Sequence, residues 1–506
     1  MAVSFLAMFI TLCQIENYMK YLLFFLFTPV SFQVFCQVHL GPGQQFPSIQ
    51  AAANAQAIYP GDTVFLHAGN YAGYQGVTQL KGNDSAWIVI RPYQQDIVEI
   101  AGTWQFISCA YLRFEHLTFK GNAAYPGRLF SVDNGGSCST QSKFIVVDSC
   151  HFSNVTDPSA IAAFKFGGVD SFAVTHCVFQ DFPTVSAMDY NVCHAGLIQD
   201  NRFENCLTGG HIKGGASDIR MERNLFVNAS KAPWVAFELG GDTGAQFYCP
   251  GDDFEVKNLE FYSNVIVGGY RGLALSSAID CKVINNTFYH CGQATMRFLT
   301  TSALFPTLSG NILENNLFVF GNSAYFNGGP QPAGTVSFSH NLYQSTEQTN
   351  FNGPYWDSPA LDAIKDQNPL LYGSAVNILT NAPNADFHLI AGCPAEGAGK
   401  MVAQPAVDYY GVPFSVTARS IGAAEVPKQV GLDALAPADP ILFSPNPASD
   451  YLDIPVQSNV SEVLIYNHMG IRVGQSKTGQ RLDLGALPAG TYFLIAGQRS
   501  AKFQKI

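Results

Sequence analysis

Charge is scarce in this chain. Only 13% of its 506 residues are Asp, Glu, Lys or Arg. Long amphipathic helices need charged outer faces, so this composition argues for β structure. The 27 Lys and Arg against 38 Asp and Glu leave a net charge of −11. Nucleic-acid binding needs clustered cations, so no nucleic-acid partner is expected. A local basic site for an acidic polysaccharide stays open. No Cys-x-x-Cys pair occurs, so nothing suggests a zinc site. After residue 36 no apolar run is long enough to span a bilayer.

The start of the chain is different. Residues 19–36 (MKYLLFFLFTPVSFQVFC) place a lysine ahead of an apolar core, as a secretory signal does. Met19 is the expected beginning, 1–37 the signal region, and no transmembrane segment is expected once the signal is removed. Ten cysteines follow Cys36. Export permits disulfides, whereas the repeat positions of Cys150 and Cys177 suit stacked buried thiols, and the sequence leaves both open.

What the chain has in quantity is a recurring phrase: Asn or Cys, one variable residue, then an aromatic or aliphatic residue. It recurs at Cys150, Cys177, Asn201, Asn224, Asn264, Asn286, Asn316 and Asn341, at intervals of 27, 24, 23, 40, 22, 30 and 25 residues. A period of this length marks a solenoid whose coils each bury one side against their neighbours. The expected coil has two or three strands of three to five residues with glycine-containing bends. The Asn is expected to point inward and stack, its carboxamide satisfying backbone groups at the bend. The residue two further on faces the same way on a strand and builds an apolar stack.

Three regions follow. Residues 38–105 read as a leading cap, with a short Ala-rich helix after Pro47 and a turn at Gly61–Asp62 into the strand Thr63–His67. Residues 106–425 hold the repeats. Residues 427–440 (PKQVGLDALAPADP) form a linker, and from 441 to 506 alternating strands between Gly and Pro turns indicate a small β-sandwich. The fold class expected is all-β: a parallel β-helix solenoid over 38–426 with a short N-terminal capping helix, then the sandwich.

Two resemblances sharpen this. The phrases SPNPASDYL, IYNHMGIRV, LPAGTYFL and the terminal KFQKI are similar to the type A C-terminal sorting domain of type IX secretion cargo in Bacteroidetes. That implies handling by the type IX machinery and a secreted or cell-surface protein. PGDTVFLHAGNY, IVIRPY and ARSIGAAEV resemble phrases of right-handed parallel β-helix proteins of the pectate-lyase superfamily. Fold alone does not decide activity.

Candidate chemistry comes from matched offsets. Lys213 lies 12 residues after Asn201, Glu238 lies 14 after Asn224, Leu275 lies 11 after Asn264 and Arg297 lies 11 after Asn286. Lys213, Glu238 and Arg297 are therefore expected on one sheet, Lys213 and Glu238 as near neighbours and Arg297 roughly 15 Å from Lys213 across three coils of ~4.8 Å. GGHIKGGASDIRMERNLF resembles the coil carrying the catalytic lysine of alginate lyase and chondroitinase B type lyases. There a lysine is the base, an arginine one coil on assists the leaving group, and calcium neutralises the uronate carboxylate. Lys213 matches the lysine, and Glu238 stands about where the arginine belongs. A lysine base has to shed its proton, which neighbouring positive charge favours and a Glu ion pair opposes.

The 40-residue interval between Asn224 and Asn264 is the place where the repeat opens, and such insertions emerge as loops, often on the binding face. It offers Trp234, Phe247 and Tyr248 for stacking on sugars, and Asp242, Asp252, Asp253 and Glu255 as candidate calcium ligands. His211 and Arg271 join Trp234 and Tyr248 as candidate substrate-binding residues, and His194 is a further histidine to place. The reading is a β-eliminating lyase of a uronate-containing polysaccharide. Glu238 paired with Asp242 or Asp189 supports a glycoside hydrolase instead, and a noncatalytic glycan-binding or adhesion protein is the third possibility.

Overall fold

The computed structural model describes residues 37–321, 326–327, 335–351, 353, 360–361, 363–365, 371, 385–426, 441, 443–455, 462–467, 472–485, 487–496 and 499–505. Residues 1–36 of the expected signal region 1–37 and the expected linker at 427–440 lie outside them. The chain divides into two compact units, 1–426 and 427–506.

The first unit is a parallel β-solenoid with three faces. The first face stacks strands such as Ala110–Glu115, Ser142–Asp148, Val169–Thr175, His194–Gln199 and Ala216–Glu222. The second carries Thr118–Lys120, His151–Ser153, Leu225–Val227, Val265–Val267 and Thr287–Tyr289. The third stacks Trp104–Ile107, Phe130–Asp133, Ala162–Gly167, Phe237–Gly240, Arg271–Ser276 and Ala294–Leu299. Two strands, Val178–Asn191 and Arg202–Lys213, run 14 and 12 residues from the second face through the corner into the third. They exceed the three to five residues expected. The expected capping helix is Ile49–Asn54, whose N-cap Ser48 hydroxyl accepts from the Ala51 amide at 3.2 Å, and its Ile49 and Ala52 join the core.

The recurring phrase is the corner between the first and second faces. Asn201 Nδ2 donates to Val174 O at 2.8 Å, while Asn224 Oδ1 accepts from both the Asn201 amide and Asn201 Nδ2 at 3.0 Å. The same set recurs through Asn264, Asn286, Asn316 and Asn341. Cys150 and Cys177 continue the line as thiols. Two residues on, the Phe119, Phe152, Phe179, Phe203 and Phe226 rings stack at 4.6 to 5.1 Å between centroids.

Glycine was expected at these bends, yet none stands there. The residue before each ladder position (Ser149, His176, Asp200, Arg223, Ser263, Asn285, Asn315, His340) is in the left-handed region, with φ between 51 and 57°. That conformation costs an L-residue about 1–2 kcal/mol, and the satisfied amides behind it offset the cost. Asn286→Ala is expected to lower stability by about 2 kcal/mol, because it leaves the buried Asn264 amide and Nδ2 without their acceptor. A urea titration followed by circular dichroism reads this, and an unchanged midpoint would contradict it.

Residues 385–426 do not add coils, although repeats were expected through 425. Phe387, Leu389, Ile421 and Ala423 pack on Leu225, Val265, Leu317 and Leu342, covering the outer side of the second face. Arg419 is buried and donates to Asn285 Oδ1 at 2.7 Å and Pro405 O at 2.6 Å. Asn285 Nδ2 returns bonds to Ser420 O and Gly422 O. The apolar pattern of this segment serves to cover a face rather than to build another turn.

The second unit is antiparallel. Glu462–Asn467, Arg472–Lys477, Gly490–Ala496 and Arg499–Lys505 form a four-stranded sheet, and Tyr451–Ile454 pairs with Gln480–Asp483. Leu452, Ile454, Val463, Ile465, Leu494 and Phe503 lie in its core.

Candidate active site on the third face

On the third face the inward positions are apolar, among them Phe164, Phe166, Tyr190, Ile212, Leu239 and Leu275. The alternate positions point outward and stack in register. One such column reads Gln105, Ser131, Lys165, Asp189, His211, Glu238, Ala274, Arg297. It alternates in charge. Lys165 Nζ lies 3.5 Å from Asp189 Oδ2, and His211 Nδ1 lies 3.0 Å from Glu238 Oε2.

Burial alone would raise the Glu238 pKa. The hydrogen bond and charge of His211, a hydrogen bond from Ser276 and the charge of Arg297 outweigh burial and hold it below the ordinary value. Glu238 is thus an ionised acceptor, which fixes the proton of the facing imidazole on Nδ1. Arg297 is pulled the other way: burial and the nearby Arg271 guanidinium lower its pKa, and Glu238 only partly compensates. Its Nε is buried without a hydrogen bond.

Arg297 and Glu238 share the column as expected, two coils apart. Lys213 does not sit directly beneath Glu238. His211 holds that place, and Lys213 is two residues further along the same strand, beside Asn191 of the preceding coil. The member of the column in the next coil is Ala274, and Leu275 faces the core. Counting from the ladder Asn assumed equal coils, but residues 229–236 add length before the strand Phe237–Gly240 and shift the count. Lys213 and Arg297 remain three coils apart, about 14 Å along the stack. Lys213 makes no ion pair among the described residues, and the Glu238 carboxylate that could have held it charged is bonded to His211 instead.

Local backbone shapes the space at Lys213. Gly214 and Gly215, both at positive φ, turn the chain away, and a Cβ on Gly215 would meet Asp252 at 2.6 Å. A Cβ on Gly241 would press on Lys213 Cδ at 3.2 Å, so glycine there gives the lysine room. Trp234, 40% exposed, sets its ring edge-on to His211 at 5.9 Å. Arg271 donates to Pro233 O and Gln293 and lies over Tyr270. Trp234, His211, Arg271 and Arg297 are therefore neighbours on this face.

The insertion is organised by Glu255. This fully buried carboxylate accepts from the Gly214 and Thr243 amides at 3.0 and 2.8 Å, from Thr243 Oγ1 at 2.9 Å and from Tyr248 OH at 2.6 Å. Tyr248 is thereby a structural partner of Glu255. Asp242 accepts from the Ala303 amide, Asp252 from the Cys249 amide, and Asp253 is exposed. These carboxylates do not converge, and among the described residues no three His, Cys, Asp or Glu are grouped to hold a metal ion. The set does not fit the calcium expected from the lyase resemblance, so no chemical step is assigned to calcium. His194 is on the first face, hydrogen-bonded to Ser217.

A disulfide, Cys138–Cys249, joins the insertion to the loop after Phe130–Asp133, and the other eight described cysteines are buried thiols. It closes a loop with a separation of 111 residues. Cys138→Ser is expected to cost about 2–4 kcal/mol, the usual range for a disulfide. The check is thermal unfolding with and without reductant: a melting temperature that reductant lowers in the wild type but leaves alone in the variant.

Sequence reasoning passed over Lys165 and Arg128. The signal for Lys165 was present in the alternation Phe164–Lys165–Phe166, which sets the lysine outward between two core rings.

No curated protein matches the chain. Among solved structures it is similar to pectate lyase Pel9A (11% identity, 78% of this chain and 98% of that one, TM-score 0.43). It is also similar to a GH136 lacto-N-biosidase from Eubacterium ramulus (12%, 65% and 68%, TM-score 0.46) and to PfbA, a surface adhesin of Streptococcus pneumoniae (14%, 63% and 89%, TM-score 0.36). At these identities the likeness bears on the fold and not on the reaction. Residues 443–506 match the secretion system C-terminal sorting domain, so this is a β-solenoid protein carried by type IX secretion to the cell surface or beyond it.

Proposed function

We propose that the third face binds an acidic polysaccharide and cleaves it by β-elimination. One observation carries the reading: Lys213 and Arg297, on the same face, are cations without an ion pair among the described residues, while the carboxylate between them is committed to His211. Lys213 takes the proton from the ring carbon beside the uronate carboxylate. The electron pair forms the carbon–carbon double bond, the bond to the glycosidic oxygen breaks, and the departing oxygen takes a proton from water, while Lys213 later returns its own to solvent. His211, oriented by Glu238, stands two residues from Lys213 and is placed to contact the reacting carboxylate. Arg271 and Arg297, two and three coils from Lys213 and mutually repelling, favour an anion between them and hold another uronate of the chain. Trp234 offers a ring for stacking.

Hydrolysis has one specific observation in its favour. Asp189 and Glu238 stand in the same column two coils apart, about 9.6 Å by strand spacing, at the upper end of the range of roughly 6.5–9.5 Å for inverting enzymes. However, a hydrolase needs a carboxylic acid with a raised pKa, and Glu238 is held low. Incubation with polyuronates separates the readings. Elimination raises ultraviolet absorbance from the conjugated double bond. New reducing ends without that absorbance favour hydrolysis, and binding with neither signal favours a noncatalytic surface protein.

A further inference from the structure

Beside Lys165 of the same column lies a cavity of about 310 Å³ that the proposed chemistry does not use. Its walls come from the loop around Asn134, the side chains of Arg128, Lys165 and Asn191, and the tip of the insertion at Gln246 and Phe247. The volume is that of a small-ligand site. The insertion is held over it at two points: Cys249 is bonded to Cys138, itself in the wall, and Tyr248 is held by Glu255.

Lys165 is paired in this cavity, whereas Arg128 makes no ion pair among the described residues, and Arg128 Nε and Asp189 Oδ1 are left as one buried donor and one buried acceptor without hydrogen bonds. Lys165 meets Asp189 at 3.5 Å, and Asn191 Nδ2 donates to the same carboxylate at 3.0 Å. Arg128, depressed by its burial, lies in the fields of Asp189 and Asp133. Two cations thus face two carboxylates, in contrast to the Arg271–Arg297 end, where like charges meet. A carboxylate or sulfate entering here would gain from Arg128 and Lys165 and lose to Asp133 and Asp189. Amides at Asn134, Asn191 and Gln246 offer donors and acceptors together, and Phe247, 53% exposed, offers a ring face. Mixed donors and acceptors around an exposed aromatic suit a ring bearing hydroxyls and no charge.

We infer that this cavity is a subsite for an uncharged sugar, so that the glycan taken by the third face alternates or joins neutral and acidic rings. This rests on the proposed glycan-binding function and adds a substrate class to it. Lys165 and Arg297 lie five coils apart in the column, about 24 Å, which places the two kinds of ring several sugars from each other along one chain.

The test uses the full oxidised protein and calorimetric titration with three oligosaccharide sets of equal length: oligouronates, neutral gluco- and manno-oligosaccharides, and mixed oligosaccharides of uronate and neutral hexose. Phe247→Ala and Gln246→Ala, both exposed, are compared with wild type, with unchanged circular dichroism as the folding control. The expected result is that mixed oligosaccharides bind tightest and that Phe247→Ala weakens mixed and neutral binding about tenfold, with oligouronate affinity changed less than twofold. The inference is overturned if Phe247→Ala weakens oligouronates as much as mixed chains, if it leaves mixed binding unchanged, or if oligouronates bind tightest. Failure of the lyase reading looks different: no ultraviolet product on any uronate polymer, with the binding preferences intact.

Discussion

Lys213→Ala is expected to lower the rate of uronate elimination by about 10²–10⁴-fold, the range a positioned general base supplies. The fall belongs in kcat rather than KM, because the proposed reading has the acidic rings held by Arg297 and Arg271 and not by the base. Stability should change little. Lys213 is at the end of its strand, makes no ion pair among the described residues, and leaves behind no buried acceptor. Glu238→Gln is the informative companion. It keeps the shape but removes the charge that fixes the His211 proton, so it should reduce turnover less than Lys213→Ala does. If the enzyme is a hydrolase built on Glu238 and Asp189, the order reverses. Turnover unchanged in Lys213→Ala would sink the assigned base outright.

Glu255→Ala should be the most damaging single change to stability, about 4 kcal/mol. It strips the acceptor from four protein donors at once, two of them the backbone amides of Gly214, in the turn after Lys213, and of Thr243, in the insertion. Burial pushes this carboxyl up, but Tyr248, the two amides and Ser302 outweigh it, and the net displacement is downward from 4.5. A carboxylate lowered on folding stabilises the native state above its unfolded pKa, and the contribution disappears as pH falls through the folded value. The wild type should therefore lose stability below about pH 4.5. Glu255→Gln should show a shallower acid dependence, because it has no proton to bind. Denaturant midpoints between pH 3 and 7 provide the check, and parallel pH profiles for the two proteins would remove Glu255 as the cause.

The parts of this fold that were legible in the sequence are those that repeat. Asn201 to Asn341 each solve the same problem, a buried corner amide, so the same residue recurs and the period can be counted. Ser149, Arg223 and Ser263 hold left-handed corners that their side chains do not announce, although His176, Asp200, Asn285, Asn315 and His340 are of the types enriched in that conformation. The site was legible as a set and not as a geometry. Lys213, Glu238 and Arg297 do share a face, but which residue stands over which depends on loop lengths between coils, and the extra residues at 229–236 exchanged Lys213 for His211 beneath Glu238. The insertion drew attention by its length alone. Its acidic residues suggested an ion, yet Glu255 is spent on backbone amides, and only three-dimensional placement distinguishes a ligand from a brace. The partner of Cys249 lies 111 residues earlier, and no local pattern connects them.

The covering segment at 385–426 has a kinetic meaning. A solenoid in which each coil touches only its neighbours unzips from its ends. Here the chain returns from the last coils to bond Asn285, Ser263 and Thr287, over sequence separations of 134 to 144 residues. Coils can stack one upon another as the chain emerges, but this contact closes only when its own residues arrive, and it has to open before the late coils can peel away. Opening of that clasp, with Arg419 at its centre, is then expected to precede the loss of the late coils, so that the return segment and not the end coil sets where unfolding begins.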